Sequence, residues 1–366
     1  LGARVIGGLS RALDSLLGRG EAAVTVPPLD GAFRPNRVLD ENTERLPLPG
    51  VDCLAVVSGE LIASAGNALY RLAGGAWQLL GEMEGDIACL TAVGSGAVAV
   101  ALARGDIILR GGPLDGRRYR LAAEGGCLTA LTSAGDFLFA ANGSATNSPD
   151  DWQLDLLHRN ASGSVWRIDL TNGDATKLAG DLAYPAGLAL DGSGLVVAEA
   201  WKHRMVRIDP SASAEAVTLY ADLPGYPGRL SPAAGGGNWL AVFAPRSQLV
   251  EFVLREPAYR NRMVAEVQRP FWIAPKLRSG QSFYEPLQGG GVKHLGLLKP
   301  WAPTLSAGLC VKLDTTFQPA FSLHSRADGA THGITSIAEH GGRLYAAARG
   351  ENVVVSLNLN GLGEAP

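Results

Sequence analysis

The chain has 366 residues, 46% of them hydrophobic and 18% charged, with a net charge of −3. That length supplies a large core, as two ordinary domains or as one closed repeat structure, and the charge balance, with no long basic run, argues against a nucleic-acid partner. No stretch reaches the roughly 20 apolar residues that span a bilayer as a helix, and the 47 glycines suit many tight turns more than long solvated helices.

Residues 1–18, LGARVIGGLSRALDSLLG, place Val5, Ile6, Leu9, Leu13, Leu16 and Leu17 at helical spacing, with Arg11 off the apolar stripe. This predicts a short docked helix, with peripheral membrane contact as the alternative. A strand-like run, EAAVTVPPL (Glu21–Leu29), follows.

From there the chain repeats itself. DCLAVVSGELIASAGNALYRL is followed by ACLTAVGSGAVAVALARGDIILR, and then by GCLTALTSAGDFLFAANGS with a later GSVWRIDL. Three further copies lack the cysteine: YPAGLALDGSGLVVAEAWKHRMVRID, YPGRLSPAAGGGNWLAVFA with a later GLCVKLD, and GITSIAEHGGRLYAAARGENVVVSLNL. Each copy reads as short apolar strands between Gly, Asp and Asn turns. Self-similarity at this period implies an all-β six-bladed propeller. After the sixth copy no segment remains for a last outer strand, so Glu21–Leu29 is expected to close the ring. The expected organisation is an N-terminal helix and closing strand over residues 1–48 and one propeller domain over 49–366.

Strand order places the loop between the second and third strands of a blade on the same face as the start of the inner strand. Both long insertions, at about residues 145–162 in blade three and 244–306 in blade five, fall in that loop and are expected to form a lid over the channel mouth. Asp52, Ala88, Gly126, Ala186, Gly228 and Thr335 open the inner strands in this alignment and should ring the mouth. Cys53, Cys89 and Cys127 come one position later and, by strand alternation, face the packing between blades. With no CxxC spacing they read as small buried packing residues, and Cys310 lies in a third strand.

At LAYPAGLALDGSGLVVAEAWKHRMVRID, ADLPGYPGRL and SLHSRADGATHGITSIAEHGGRLYAAARG the sequence resembles the strictosidine synthase-like family. That family belongs with the gluconolactonase, regucalcin and paraoxonase propellers. The resemblance covers about residues 50–358 and implies the propeller fold, with activities that range over synthases, lactonases and esterases. Metal-binding relatives hold calcium or a similar ion at the channel mouth through acidic and Asn side chains, as a hard cation requires. The resemblance maps these ligands onto Asp52 and Asn142, while Ala186 and Gly228 stand where relatives carry Asn and Asp, and Arg229 follows. The acid of the synthase branch maps to Thr335, which cannot transfer protons near neutral pH.

His158 in the first insertion and His203 in the turn AWKHR are the preferred bases; paired with Asp52 or Asp151, one could activate water for lactone or ester cleavage. His294 and His332 could face the same cavity, and the competing reading for each is a turn or lid hydrogen bond. Trp152, Phe271, Trp272, Phe283, Tyr284 and Trp301 in the insertions, with Trp201 in a top turn, pack the lid or line a pocket for an apolar small molecule. Asn142 and Thr335 would add polar contacts, and Arg229, Arg246 and Lys202 could hold an anionic substituent. Glu199 and Arg204 flank a turn as a structural ion pair. Two functions stand at this point: a small-molecule hydrolase of lactonase or esterase type, and a propeller that has lost the metal and acid residues and binds a ligand or partner without turnover.

Overall fold

Short runs of β-branched and small apolar residues between turns that demand positive φ fold as antiparallel strands. The computed structural model describes residues 26–94, 96–121, 126–192, 194–210, 216–282, 284–286, 293–294, 297–298 and 305–361. It contains six four-stranded sheets, the blades of a six-bladed β-propeller. The first strand, β1 (Glu44–Pro47), belongs to the last blade. Blade one is β2 (Val51–Val57), β3 (Glu60–Ala65), β4 (Ala68–Ala73) and β5 (Ala76–Glu82), and blade two is β6 (Ile87–Val93), β7 (Ala97–Leu102), β8 (Asp106–Arg110) and β9 (Arg118–Arg120). Blade three is β10 (Leu128–Ala134), β11 (Phe137–Asn142), β12 (Gly163–Asp169) and β13 (Ala175–Leu182). Blade four is β14 (Pro185–Asp191), β15 (Gly194–Glu199), β16 (Arg204–Ile208) and β17 (Val217–Tyr220). Blade five begins with β18 (Gly225–Pro232) and β19 (Asn238–Pro245). A two-residue pair, β20 (Lys293–His294) and β21 (Leu297–Leu298), interrupts it before β22 (Gly308–Leu313) and β23 (Pro319–Ser325). Blade six is β24 (Ile334–His340), β25 (Arg343–Ala348), β26 (Val353–Asn358) and then β1. The inner strands touch in ring order and β24 returns to β2.

The closing strand differs from the expected one. Glu44–Pro47, not Glu21–Leu29, pairs with β26, in the register Leu46↔Val354. Of Glu21–Leu29, residues 21–25 lie outside the described residues, as do residues 1–18 and their membrane alternative; residues 26–29 form no strand. The segment ahead of β1 is tied to blade five instead. Asn36 donates to the Ser322 carbonyl at 2.8 Å and accepts from the His324 amide at 2.9 Å. Asp40, in α1 (Val38–Glu41), accepts from Ser325 Oγ at 2.8 Å.

Between blades, large apolar side chains interlock. Leu90, Val100, Ile108, Leu131, Leu138 and Ile168 form one such layer between blades two and three, each contributing roughly 1.5–3 kcal/mol by burial. Gly187 on β14 marks the tightest approach between blades four and five, because a Cβ there would overlap the Gly228 carbonyl oxygen. The four cysteines are buried and unbridged, and burial pushes the Cys89, Cys127 and Cys310 thiols up.

One irregularity repeats around the ring. The inner ladders skip a residue between Val51 and Cys53, Ile87 and Cys89, Leu128 and Ala130, Pro185 and Gly187, and Ile334 and Ser336. Asp52, Ala88, Thr129, Ala186 and Thr335 are therefore bulged out of their ladders, and in β18 Gly228 and Arg229 are left out together. This corrects the cysteine alignment in blade three. Thr129, not Gly126, is the counterpart of Asp52 and Ala88, and Ala130 rather than Cys127 matches Cys53 and Cys89.

Residues 143–162 carry α2 (Trp152–Leu157), and residues 246–307 carry α3 (Gln248–Arg255) and α4 (Pro257–Glu266). The two insertions meet: Gln153 donates to the Pro275 carbonyl at 2.8 Å, and Arg269 pairs with Asp151 at 3.0 Å. Leu156, Leu157, Phe243, Val253, Met263 and Trp272 pack beneath them. Among the described residues no helix is long and apolar enough to cross a membrane.

Candidate functional site

The bulges decide the chemistry of the channel. A bulged residue drops out of its ladder, so its carbonyl needs another donor. Arg229 supplies it across the ring. Its Nε donates to the Thr129 carbonyl at 3.0 Å, and Nη1 donates to the carbonyls of Asp52 at 3.0 Å and Thr335 at 3.1 Å. Nη2 donates to the Ala88 carbonyl at 2.6 Å and to Asp52 Oδ2 at 2.7 Å. A guanidinium has five N–H groups, and all are engaged. The other Asp52 oxygen, Oδ1, accepts from Arg349 Nη1 at 3.0 Å. Burial alone would raise the Asp52 pKa, but Arg229 and Arg349 outweigh it and hold the carboxyl below its ordinary value. The cluster is one carboxylate between two fixed cations, net +1.

Above this floor lies a cavity of about 400 Å³ at the top mouth. Trp152, Tyr184, Phe243 and Leu277 form its apolar wall; Arg229, Thr335 and Arg349 face it from the floor, and Asp86 and Asp150 from the exposed rim. Below the floor lies a second cavity of about 390 Å³, lined by residues such as Leu54, Leu90, Leu131 and Glu339. Arg229 lines both, so its side chain separates the two ends of the channel.

The expected site residues divide. Asp52, Trp152, Arg229 and Thr335 line the upper cavity together. Arg229 is not free to hold an anionic substituent, because its donors are engaged, and the Thr335 hydroxyl donates to the Asp52 carbonyl at 2.7 Å. Trp201 lies behind the wall, stacked on Tyr184 at 4.3 Å and donating to the buried Asp155 carboxylate at 2.7 Å. Trp272 is buried in the lid and donates to the Val267 carbonyl. Asn142 is buried inside blade three, accepting from the Cys127 amide and donating to the Ser144 carbonyl, each at 3.0 Å.

His158, His203 and His332 lie off the cavity lining, while the His294 side chain, Phe283 and Trp301 lie outside the described residues. His158 is exposed at the C-terminal end of α2. His203 is buried, with Nδ1 3.0 Å from the Gly225 carbonyl and Nε2 3.3 Å from Glu251, so it ties the blade-four turn to α3. Burial lowers its pKa, against the pull of Glu251. Glu199 pairs with both Arg204, at 2.6 Å, and Lys202, at 2.9 Å, as a structural knot.

A calcium ion needs six to eight oxygen ligands, and the residues here do not fit one. Both Asp52 carboxylate oxygens face guanidinium groups, the Asn142 amide is engaged within its own blade, and Ala186 and Gly228 offer no side-chain oxygen. Among the described residues no group of three or more His, Cys, Asp or Glu side chains is placed to hold a metal ion.

The alignment missed Arg349. It opens the three-residue turn Arg349–Glu351 after β25, which ends in the left-handed Asn352. Blade four has the same turn at Ala200–Lys202, ending in the left-handed His203. That shared spacing was the available signal.

The chain is a six-bladed propeller with an arginine in its throat, and its structural neighbours are regucalcin- and gluconolactonase-like propellers. No known family model matches the sequence, and no curated protein does either. Among solved structures, the chain is similar to a calcium-binding regucalcin from Agrobacterium tumefaciens, with a TM-score of 0.53 and 14% identity over 91% of this chain and 95% of that one. A luciferin-regenerating enzyme is similar at a TM-score of 0.51 and 13% identity, over 87% and 94% of the two chains. At these identities the likeness is one of fold.

Proposed function

We propose that the protein binds a small, partly aromatic molecule carrying an anionic group at the upper channel mouth, without turnover at Asp52. One observation carries this reading: an aromatic wall stands over a saturated floor on which Arg349 keeps a 44% exposed side chain. Arg349 gives one N–H to Asp52, and its planar fork suits a carboxylate. Asp86 and Asp150 sit at the solvent-exposed rim, where water and salt screen them. Within the propeller group, the motifs around residues 163–230 and 308–350 favour a place beside the strictosidine synthase-like branch.

Lactone or ester hydrolysis is the activity in keeping with the neighbouring folds. It needs a base facing the cavity beside the substrate. Asp52 has both oxygens on arginines, His158 and His203 lie off the lining, and the other carboxylates on the lining, Asp86 and Asp150, sit at the exposed rim, which favours binding over hydrolysis.

The test is calorimetric titration with indole-3-acetate, indole-3-acetamide and tryptamine, which share a ring and differ in charge. The acetate is expected to bind about tenfold tighter than the amide, the worth of one charge-assisted hydrogen bond, and Arg349→Gln to remove that preference. Tryptamine binding best, or a preference that survives in Arg349→Gln, would overturn the anionic assignment. A lactone and aryl-ester screen with added divalent metals completes the test. Turnover that disappears in Asp52→Ala would overturn binding without catalysis.

A further inference from the structure

We propose that the Arg229 guanidinium is a tethered cation, built into the chain at the point where the channel floor would otherwise hold a metal ion. This stands apart from the ligand reading above and does not depend on it.

The acceptors around the Arg229 guanidinium are all oxygen atoms. The carbonyls of Asp52, Ala88, Thr129 and Thr335 and the Asp52 carboxylate surround one guanidinium, each 2.6–3.1 Å from an Arg229 nitrogen. Four carbonyls from four strands, with a carboxylate from one of the same residues, form a donor set of the type a hard cation takes. They converge because each of these residues is bulged out of its ladder, which leaves its carbonyl without a strand partner. A donor has to stand there, or the buried carbonyls of Ala88, Thr129 and Thr335 go without one, and the neighbouring Asp52 carboxylate favours a positive donor.

In this chain the positive group arrives covalently. Gly228 and Arg229 are the two residues left out of the β18 ladder, so the blade-five bulge aims a side chain at the axis where the other bulges present carbonyls. Burial acts against the charged guanidinium, but Asp52 keeps it protonated. Unlike an ion it cannot dissociate, and its fork joins blade five to blades one, two, three and six at once. The channel floor is thereby independent of metal supply.

The experiment follows thermal unfolding of the wild type and of Arg229→Ala. The wild-type Tm is expected to be unmoved by EDTA or by millimolar calcium chloride. Arg229→Ala is expected to lose roughly 5–10 °C and to recover part of it in millimolar methylguanidinium or calcium, but not in tetramethylammonium chloride at matched ionic strength. An Arg229→Ala protein whose Tm no cation raises would sink the proposal, and so would a wild type that EDTA destabilises. Arg229→Lys and Arg229→Met give a second reading if the alanine variant does not fold. The lysine variant, which keeps the charge without the fork, should melt between the wild type and Arg229→Met. Equal Tm values for the two variants would show that charge at this point is immaterial and overturn the proposal.

Discussion

Arg229 and Arg349 are two arginines on one carboxylate, and their surroundings give them different work. Arg229 is 16% exposed with every N–H engaged, so it can hold the floor but not a ligand. Arg349 is 44% exposed and gives one N–H to Asp52, so it can do both. Two histidines outside this cluster govern a different property. Burial lowers His324 and His332 to about 4, with Arg278 adding to the effect at His332. His332 Nε2 is 3.0 Å from the Arg326 carbonyl, which can only accept, so Nδ1 is the acceptor toward Ser306 Oγ at 2.8 Å. The unfolded chain takes up these protons first, near pH 6.5. Stability is therefore full above about 6.5 and falls as pH drops toward 4, by ~3 kcal/mol for each histidine. Urea unfolding at pH 7 and pH 4.5 should show this fall, and His332→Gln should roughly halve it. Asp52 moves in another window: its folded value is depressed, so its contribution persists until pH drops below about 3.9.

At the scale of strands, the fold was legible because alternation and turn residues recur in every blade, while register was not. CLTAV and CLTAL look like one motif, yet in blade two the cysteine stands after the bulged Ala88, and in blade three it precedes strand β10 altogether. Cys127 packs with the lid, its sulfur 3.9 Å from the Tyr184 hydroxyl. A bulge leaves little mark on composition, so a three-residue slip went unseen and Thr129 was replaced by Gly126 in the expected ring. The closing strand was hidden for another reason. ERLP sits at a sheet edge, where charged residues are favoured, and it looks less like a strand than Glu21–Leu29 does. A chain shortened to begin at Leu48 should expose the edge of β26, lower Tm sharply and self-associate, as sedimentation would show. Gly187→Ala tests the close approach of blades four and five. Its Cβ would meet the Gly228 carbonyl, so a loss of about 1–3 kcal/mol is expected in urea unfolding.

At the scale of the molecule, the ring is closed twice. On the outside β1 completes blade six, and at the axis one side chain gathers carbonyls from four other blades. Much of this was visible beforehand: the blade number, the face bearing the insertions, and the bare positions Ala186 and Gly228. What fills the axis was not visible, since an arginine beside a glycine reads as surface until three-dimensional convergence shows its acceptors. The same side chain fixes how the protein can exchange matter with its surroundings. The upper and lower chambers share the Arg229 side chain, so anything moving along the axis has to pass a guanidinium held by five hydrogen bonds. A molecule seated at the upper mouth and one seated at the lower end would touch opposite sides of the same guanidinium.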